Sequence, residues 1–539
     1  MADTKSSFER IALNRVTFGA RDVEITHLQN NGWTAWVERQ LIPPAGDDPA
    51  LAAHIKSQVM HIQYDAFDDN QINYHWKAVN EDRPLTYLYA SPEQIWTTGI
   101  SIPWTVSFAE DTRMWTEFVS GIFMRNAHSA FQLREFMADF WLNHFSVAKG
   151  KGRGVYGPAI AYDRDVIRPN VFGNFRTLLE NVACSTSMLM YLDNAGSTAA
   201  IPNENYAREL MELHTMGRDA YFGKNPSGAD VSAKGFTDED ILQASRALSG
   251  WTIQRGQTNQ LPGVASNSGV IVYPNSGQFV FNPGQHSDQA GRFLGVDLSA
   301  LNGQAQGRKV LDIIANHPAT APFICGKLCR RIFGDTPPQA VLDRAVEAWI
   351  IHRNAHDQIA RVLRAILLDG PEIGIGPVQK VRRPYERFIA MVRATDTLLN
   401  ASSNWTFMFQ TLNDSPLIWP TPDGRPDTNA FWLTTYTNVT VPEELKRITY
   451  EVGTTPVNQV ISVYAQTPAA ARTSITAVVE YWVERMIGGL LDDDAMNALV
   501  AYAAERGLPS ENQWWAYWEA DFVRNIITTI ASSPEFVMR

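Results

Sequence analysis

The sequence NENYARELMELHTMG, residues 203–217, combines a helix start, a run of charged residues and a helix stop in a fixed order. Asn203 can cap the free N–H groups of a first turn, and Gly217 can adopt the left-handed conformation that ends a helix. The stretch therefore predicts a helix. At about 100° per residue, one arc of that helix carries the polar side chains, which are Glu204, Asn205, Arg208, Glu209, Glu212 and Thr215. The opposite arc is apolar and includes His214, for which we expect a hydrogen-bonded place in the core.

The polar arc has two interpretations. In the first, Glu204, Arg208 and Glu212 form a ladder of i,i+4 ion pairs on a solvated surface, where each pair contributes about 0.2–0.5 kcal/mol. In the second, the arc lines a cleft, where Arg208 orients two carboxylates and Glu209 stays free for proton transfer or for a cation. The spacing alone fits both interpretations.

A second informative helix is predicted over residues 129–147, which include FMADFWLNHFSV. Its apolar face is formed by Leu133, Phe136, Met137, Phe140, Trp141, His144 and Phe145. His144 is therefore expected to be buried, and a buried imidazole needs a partner for each ring nitrogen or a metal ion. A carboxylate of the 204–212 helix is the attractive candidate for that partner. The polar residues of this helix are expected to lie away from the core, and they are Arg134, Glu135, Asp139 and Asn143.

Other segments give local expectations. Residues 50–89 have a weakly amphipathic helical pattern. The sequence VIVYPNSGQFVF, residues 270–281, has two short β-prone runs around a turn and predicts a hairpin that presents His286 and Asp288 on a loop. The sequence PLIWPTPDGRPDTN, residues 416–429, contains too much Pro, Gly and Asp for regular structure. It reads either as an ordered loop over a cleft or as a linker.

Composition narrows the classes of function. A net charge of -11 over 539 residues argues against a broad nucleic-acid surface, which needs clustered Lys and Arg. The three cysteines, Cys184, Cys325 and Cys329, do not suggest a disulfide framework. No run of about 18 apolar residues predicts a membrane span, and the opening MADTKSSFER lacks the pattern of a signal peptide. The chain also contains no P-loop, GxSxG or HExxH motif, and nucleotide and common serine-hydrolase chemistry are therefore disfavoured.

Several segments together resemble the bacterial family known as domain of unknown function 1800. The resemblance is carried, in order, by RIALNRVTFGA near the start, the Trp-x-Asn-His-Phe segment at 141–145, residues 203–217, GFTDEDILQASRALSGWTI, FVFNPGQHSDQAGRFLG, ANHPATAPFICGKLCRRI and the closing SPEF. It implies a fold, but no reaction. The sequence departs from the family pattern at His214, where an apolar residue is usual, and at Ser287, where an Asp usually follows the His; Asp288 is the possible substitute. Members often carry export signals and are often encoded beside a family related to sulfatases and phosphatases, which implies a periplasmic or extracellular location and a possible partner.

We therefore expect a mainly α-helical chain with a small β-hairpin insertion, folded as one large domain over residues 1–539. Within it we distinguish an N-terminal subregion (1–125), a core with the central motifs (126–370) and a C-terminal subregion (371–539).

For function, the leading hypothesis is a hydrolase that acts on a polymer such as a polysaccharide, with the cofactor left open. The candidate catalytic residues are Glu204, Arg208, Glu209, Glu212 and His144. The candidate substrate-binding residues are Asn143, Asn203, Trp251, His286 and Asp288. Two alternatives remain: a metal-dependent enzyme that uses His144, Glu209 and His286, and a non-catalytic envelope scaffold or binding protein.

Overall fold

The computed structural model describes residues 7–71, 74–100, 106–224, 231–260, 270–374, 380–402, 409–410, 412–450, 466–489, 491–505 and 516–539. Helices dominate these residues, and the strands form small two-stranded sheets, so the predicted fold class is confirmed. One continuous cluster of buried apolar side chains extends from Ala12 near the start to Phe536 near the end. Within the described residues, no helix has both the length and the apolar character needed to cross a lipid bilayer.

The helices of the first part of the chain are Phe8–Val16, Asp22–Asn31, Trp33–Gln40, Pro49–Ser57, Pro92–Gln94, Phe108–His128 and Gln132–His144. Those of the middle part are Arg153–Tyr156, Ala159–Ala161, Arg168–Asn170, Phe175–Ala183, Thr186–Tyr191, Glu204–Glu212, Val231–Lys234, Asp238–Ala247, Gln304–Ala315, Thr320–Phe333, Gln339–Ile351 and Gln358–Leu368. Those of the last part are Pro384–Ala394, Asn429–Trp432, Thr435–Tyr450, Ile475–Ile487, Asp493–Glu505, Ala516–Ala531 and Pro534–Val537. Short 3-10 or π turns occupy Tyr87–Tyr89, Ile95–Ile100, Lys149–Lys151, Tyr162–Ile167, Asn194–Gly196, Arg218–Ala220, Pro283–Gln285, Pro371–Gly374 and Ala469–Arg472.

The helical prediction for residues 50–89 is wrong beyond the helix Pro49–Ser57. Strand Val59–Tyr64 pairs antiparallel with Val79–Pro84, and Phe67–Asp69 pairs with Tyr74–Trp76 farther out on the same hairpin. Cross-strand side-chain contacts stabilise the hairpin, since Phe67 and Trp76 stack with ring centroids 4.7 Å apart. These pairs join residues that are distant in sequence, and a helical periodicity does not detect them.

The hairpin prediction for residues 270–281 is also wrong, because the two strands pair with other segments and not with each other. Strand Val270–Val272 pairs with Thr258–Gln260, whereas Phe279–Phe281 pairs with Trp251–Ile253. The turn between the two predicted strands instead packs against Trp96, whose indole Nε1 donates to Asn275 Oδ1 at 2.8 Å. His286 and Asp288 nevertheless follow on a loop, as expected.

The polar residues of helix Gln132–His144 do not lie away from the core as predicted: Arg134, Glu135 and Asp139 are all buried. The Asp139 carboxylate accepts hydrogen bonds from three guanidinium groups, at 3.0 Å from Arg331, 2.5 Å from Arg383 and 2.7 Å from Arg425. A helical wheel places polar residues opposite the apolar face, but it does not show that buried arginines of other segments occupy that side.

This cluster of buried charges, which we call the Asp139 cluster, joins three segments. Arg331 belongs to helix Thr320–Phe333, Arg383 caps helix Pro384–Ala394, and Arg425 lies in the loop of residues 416–429. Burial alone would raise the pKa of Asp139, but the three guanidinium groups hold that pKa well below its usual range. Asp139 is therefore ionised at neutral pH, and it compensates the buried guanidinium charges together with Glu386, which pairs with Arg331 and Arg383.

A second carboxylate of the Asp139 cluster behaves in the opposite way. Asp414 accepts a hydrogen bond from Arg425 at 3.1 Å, whereas Arg383 is 3.9 Å away. Burial raises the pKa of Asp414, and these weaker contacts lower it less than burial raises it. Asp139 is thus the principal anionic partner of Arg383 and Arg425.

We predict that Asp139→Asn lowers the free energy of unfolding by about 1–3 kcal/mol, because it removes one of the carboxylates that compensate the buried guanidinium groups, while Glu386 still pairs with Arg331 and Arg383 and Asp414 still pairs with Arg425. Chemical denaturation measures this change. The matched control is Glu204→Gln, which removes a carboxylate at an exposed position and is expected to change stability by less than about 0.5 kcal/mol. A loss below about 1 kcal/mol in Asp139→Asn would show that the cluster is not a principal source of stability.

Candidate functional site

Helix Glu204–Glu212, which we call the central helix, forms where the sequence predicts it. The Asn203 side chain caps its start by accepting a hydrogen bond from the backbone N–H of Tyr206 at 3.0 Å. The helix ends at Glu212, before the predicted stop; Gly217 follows after a short turn and has a φ of 89°. A Cβ atom at Gly217 would lie 2.6 Å from the ring of Phe323, so glycine also permits helix Thr320–Phe333 to approach closely.

A cavity of about 600 Å³ lies between the end of the central helix and helix Thr320–Phe333. Its wall on the side of the central helix runs from Glu212 through the turn to Ala220, and Lys234 lies at its edge. The opposite wall includes Phe323, Lys327 and Arg330. Asp423, from the loop of residues 416–429, completes the lining.

On the first wall, Glu212 is held by Arg208. The Arg208 guanidinium donates to Glu212 Oε1 and to Asp238 Oδ1, both at 3.3 Å, and stacks on Tyr221 with its Cζ 5.1 Å from the ring centroid. The Tyr221 hydroxyl in turn donates to Asp238 at 2.6 Å. These contacts hold Glu212, which lines the cavity. The Arg208–Glu212 contact is also an i,i+4 pair of the surface interpretation, so the orienting role of Arg208 stays a prediction.

Glu209 lies three residues before Glu212 and is half-buried. Its pKa is raised, first by burial and then by the charge of Glu212, with Asp423 adding to the effect. Its other charged neighbours are Arg208 and Arg218, which lower the pKa by less. Glu209 therefore holds its proton to higher pH than an ordinary glutamic acid, and its acidic neighbours Glu212 and Asp423 line the cavity.

His144 links the two walls, but its partners differ from the carboxylate that the sequence suggests. Lys327 Nζ donates to His144 Nδ1 at 2.8 Å, so His144 Nε2 carries the proton that it donates to the backbone carbonyl of His214 at 3.1 Å. The pKa of His144 is lowered well below its usual range, first by burial and then by the charge of Lys327. His144 is thus a neutral imidazole that positions the Lys327 amine.

His214 is buried, as its place on the apolar arc predicts. Within the described part of the chain, neither of its ring nitrogens has a hydrogen-bond partner, so the expected hydrogen bonds do not form. Burial, together with the nearby charge of Lys327, lowers the pKa of His214 to about 3. Neither histidine beside Lys327 therefore brings a charge to the cavity at neutral pH.

The loop of residues 416–429 is an ordered part of the site. The Asn143 side chain holds this loop through two hydrogen bonds. Its Oδ1 accepts from the Arg425 backbone N–H at 2.8 Å, and its Nδ2 donates to the Arg425 carbonyl at 3.0 Å. The Tyr191 hydroxyl donates to the Pro420 carbonyl at 3.0 Å. Asn143, a predicted substrate-binding residue, is therefore engaged in holding the loop that presents Asp423.

Of the predicted site residues, only Glu212 is among the described residues that line the cavity. Glu204 is exposed, and Asn203 is occupied by capping the central helix and by donating to the Leu192 carbonyl at 2.7 Å. Trp251 is fully buried against Phe279, with ring centroids 5.4 Å apart. Asp288 is exposed.

His286 is buried away from His144 and Glu209. One ring nitrogen lies 2.9 Å from the Ser249 carbonyl, and the other lies 3.0 Å from Gln306 Oε1. Among the described residues, no group of three or more His, Cys, Asp or Glu side chains is placed to hold a metal ion. The set proposed for a metal centre, His144, Glu209 and His286, is therefore not brought together.

Sequence reasoning missed Lys327, Arg330 and Asp423. Lys327 and Arg330 are separated by one helical turn inside ANHPATAPFICGKLCRRI, so their spacing could have shown that they share a face. Asp423 lies in the loop that was considered as a cover for a cleft, and no local pattern distinguishes it from its neighbours. Only the tertiary structure shows that these residues face Glu212.

Nearly the whole chain matches a known protein family. Residues 11–538 match the model of a family described as "Protein of unknown function (DUF1800)". No curated protein and no solved structure matches the chain. Every segment that lines the cavity lies inside the matched residues, and the family description states no reaction.

We predict that Gly424→Ala displaces the loop that carries Asp423. Gly424 has a φ of 75°, and an added Cβ would lie 2.3 Å from the backbone oxygen of Asn143. Both effects lower stability, so the loss should exceed about 1 kcal/mol in chemical denaturation. Gly256→Ala is the matched control, because Gly256 has the same φ of 75° but only Asn275 Cβ, at 3.6 Å, within reach. Equal losses in the two variants would contradict the tight contact with Asn143.

The titration of Lys327 gives a second prediction. Burial first, and then the charge of Arg330, lower the pKa of Lys327 from 10.5 to about 8, although Asp423 and Asp427 partly oppose the shift. At a pH between these two pKa values, Lys327 is protonated in more of the unfolded chains than of the folded ones. This lysine therefore makes the free energy of unfolding rise with pH. His144 and His214, which also face the amine, are neutral throughout this range.

The measurement is denaturation of the unmodified protein and of Lys327→Met at several pH values from 7.5 to 9.5. We expect the stability of the unmodified protein relative to the variant to increase over this range. A constant difference between the two proteins would show that Lys327 titrates as an ordinary lysine.

Proposed function

We propose that this chain, which belongs to the DUF1800 family of proteins of unknown function, is a hydrolase that cleaves a polymer such as a polysaccharide in the cavity beside Glu212. The observation that carries the proposal is the pair formed by Glu209 and Glu212. One carboxyl group has a raised pKa, and the other is oriented by a guanidinium group at the wall of a cavity. Two carboxyl groups in different environments are the usual means of acid–base hydrolysis of a glycosidic bond.

Glu209 is the proton donor in this mechanism. Its raised pKa keeps the carboxyl group protonated in part of the population as the substrate arrives, and the proton passes to the oxygen of the leaving group. The neighbouring charges of Glu212 and Asp423 favour this protonated form. Activity should therefore fall as the pH rises through the pKa of Glu209, because the donor then loses its proton.

Glu212 is the second carboxylate. Arg208 at 3.3 Å holds its side chain in place, and the carboxylate can stabilise the positive charge that develops on the sugar ring or attack it directly. Residues three apart on a helix have Cβ atoms about 5–6 Å apart. That spacing is compatible with the separation of about 5–5.5 Å between carboxyl groups in enzymes that retain the configuration of the sugar.

The size of the cavity supports an extended substrate. About 600 Å³ falls within the usual range of about 300–1,000 Å³ for ligand pockets, and Arg218 and Asp219 at its wall are exposed. The apolar faces of Phe323 and Met216 also contribute to the lining. A chain of sugar units can extend past such a wall while one linkage lies beside Glu212.

We predict that Glu212→Gln and Glu209→Gln each lower the turnover of a polysaccharide substrate by about 10²–10⁴-fold, because each removes one acid–base group. The measurement is reducing-end release from a panel of soluble neutral and acidic polysaccharides. Glu204→Gln, on the same helix but exposed and outside the cavity, is the matched control and should keep full turnover. If both variants turn over the same substrate as fast as the unmodified protein, the pair is not catalytic.

A further inference from the structure

Two of the cations on one side of the cavity make no direct ion pair within the described part of the chain. The lining includes the cations Arg218, Lys234, Lys327 and Arg330. Arg218 approaches Glu212 to 3.9 Å. Within the described part of the chain, Lys327 and Arg330 have no carboxylate at ion-pair distance. Elsewhere in this protein, buried guanidinium groups such as Arg331 and Arg383 contact carboxylates directly.

The contacts of Lys327 show why the lack of a direct ion pair matters. Its amine is hydrogen-bonded to His144, a neutral ring that accepts through Nδ1 and supplies no negative charge. Lys327 is half-buried at the cavity wall, and the carboxylates of Asp423 and Asp427 act on it from beyond ion-pair distance, so its amine is placed to pair with an anion of a bound ligand. Arg330 lies one turn farther along the same helix, so the two cations share one face.

The start of helix Thr320–Phe333 adds to the positive potential. Ala319 and Pro322, in its first turn, also line the cavity. The partial positive charge of a helix N-terminus favours an anion placed there. The acids Glu212 and Asp423 lie in the lining as well, so the cavity has separate carboxylate and cation sides.

We propose that Lys327 and Arg330 form a subsite for an anionic substituent of the bound polymer, a sugar carboxylate or a sulfate or phosphate ester. Arg330 supplies a planar fork of donors that matches oxyanions, and Lys327 supplies a compact charge fixed by His144. The subsite rests on the proposed function only in taking the bound molecule to be a polymer. It makes the preferred substrate an acidic polysaccharide rather than a neutral one.

The test is isothermal titration calorimetry of the full chain with small probes, so that it does not depend on turnover. The probes are glucuronate, glucose 6-sulfate and glucose 6-phosphate, with glucose as the neutral control. We expect at least one anionic probe to bind at least tenfold more tightly than glucose at pH 7, and the comparison among the three identifies the substituent. Equal binding of glucose and all anionic probes, or no binding of any probe, would overturn the subsite.

Two variants and one matched control complete the test. Lys327→Met and Arg330→Gln should each weaken binding of the preferred probe at least tenfold, and Arg330→Gln, at a partly exposed position, serves if Lys327→Met does not fold. Lys151→Met is the control, because Lys151 is exposed and pairs with Asp193 outside the cavity. Unchanged binding in a folded Lys327 or Arg330 variant would place the anion elsewhere.

The experiments distinguish failure of the anion subsite from failure of the proposed hydrolase activity. Glu212→Gln should still bind the anionic probe, because Glu212 is not part of the subsite. Anion binding without any hydrolysis would sustain the subsite and reject the proposed reaction. Hydrolysis of neutral polysaccharides at the same rate as acidic ones would sustain the reaction and reject the subsite.

Discussion

The ion pairs of Asp139 are the contact on which the arrangement of the cavity depends. Asp139 holds Arg331 of one wall and Arg425 of the loop at 3.0 and 2.7 Å. Lys327 lies one helical turn before Arg331, and Asp423 lies two residues before Arg425. The same helix that supplies Asp139 ends with His144, which contacts both Lys327 and the carbonyl after the central helix. The Asp139 cluster therefore connects the helix that carries Lys327 to the loop that carries Asp423.

The energetics of such a cluster explain why it must be complete. Removing charged groups from water costs several kcal/mol for each ion, and the cost is recovered only when every partner is present. Asp139 meets this condition with three guanidinium groups. Lys327 and Arg330 make no direct ion pair in the described part of the chain. Arg382 and Arg387 are buried against backbone carbonyls, whereas Lys327 and Arg330 line a cavity that a ligand can enter.

Local sequence patterns predicted the parts of the fold that depend on local physics. The central helix, its Asn203 cap and the burial of His144 and His214 follow from periodicity and capping, because these involve residues within a few positions of each other. Pairing between distant segments was not predictable in this way. The hairpin that begins with Val59–Tyr64 was mistaken for a helix, and Asp139 was assigned to the polar side because its partners lie 192 or more residues away.

Only part of the candidate site was predicted, because local patterns identify residues on one helix but not residues that distant segments bring together. Glu209, Glu212 and Arg208 share one helix; Glu212 lines the cavity, and Arg208 contacts Glu212 at 3.3 Å. Trp251, His286 and Asp288 were chosen from residue type and from resemblance to a family, and they lie outside the cavity lining. Lys327 and Asp423 reach the site only through the tertiary fold, and their importance derives from charge balance that a sequence alone does not contain.

The most direct measurement of this account is a crystal structure of the Glu212→Gln variant with an acidic oligosaccharide such as an oligogalacturonate. The account predicts one sugar carboxylate at hydrogen-bond distance, about 2.7–3.2 Å, from Lys327 Nζ or the Arg330 guanidinium, and a glycosidic oxygen beside Glu209. An oligosaccharide bound in the groove between Pro84 and Arg113, or on another surface with this cavity empty, would contradict it.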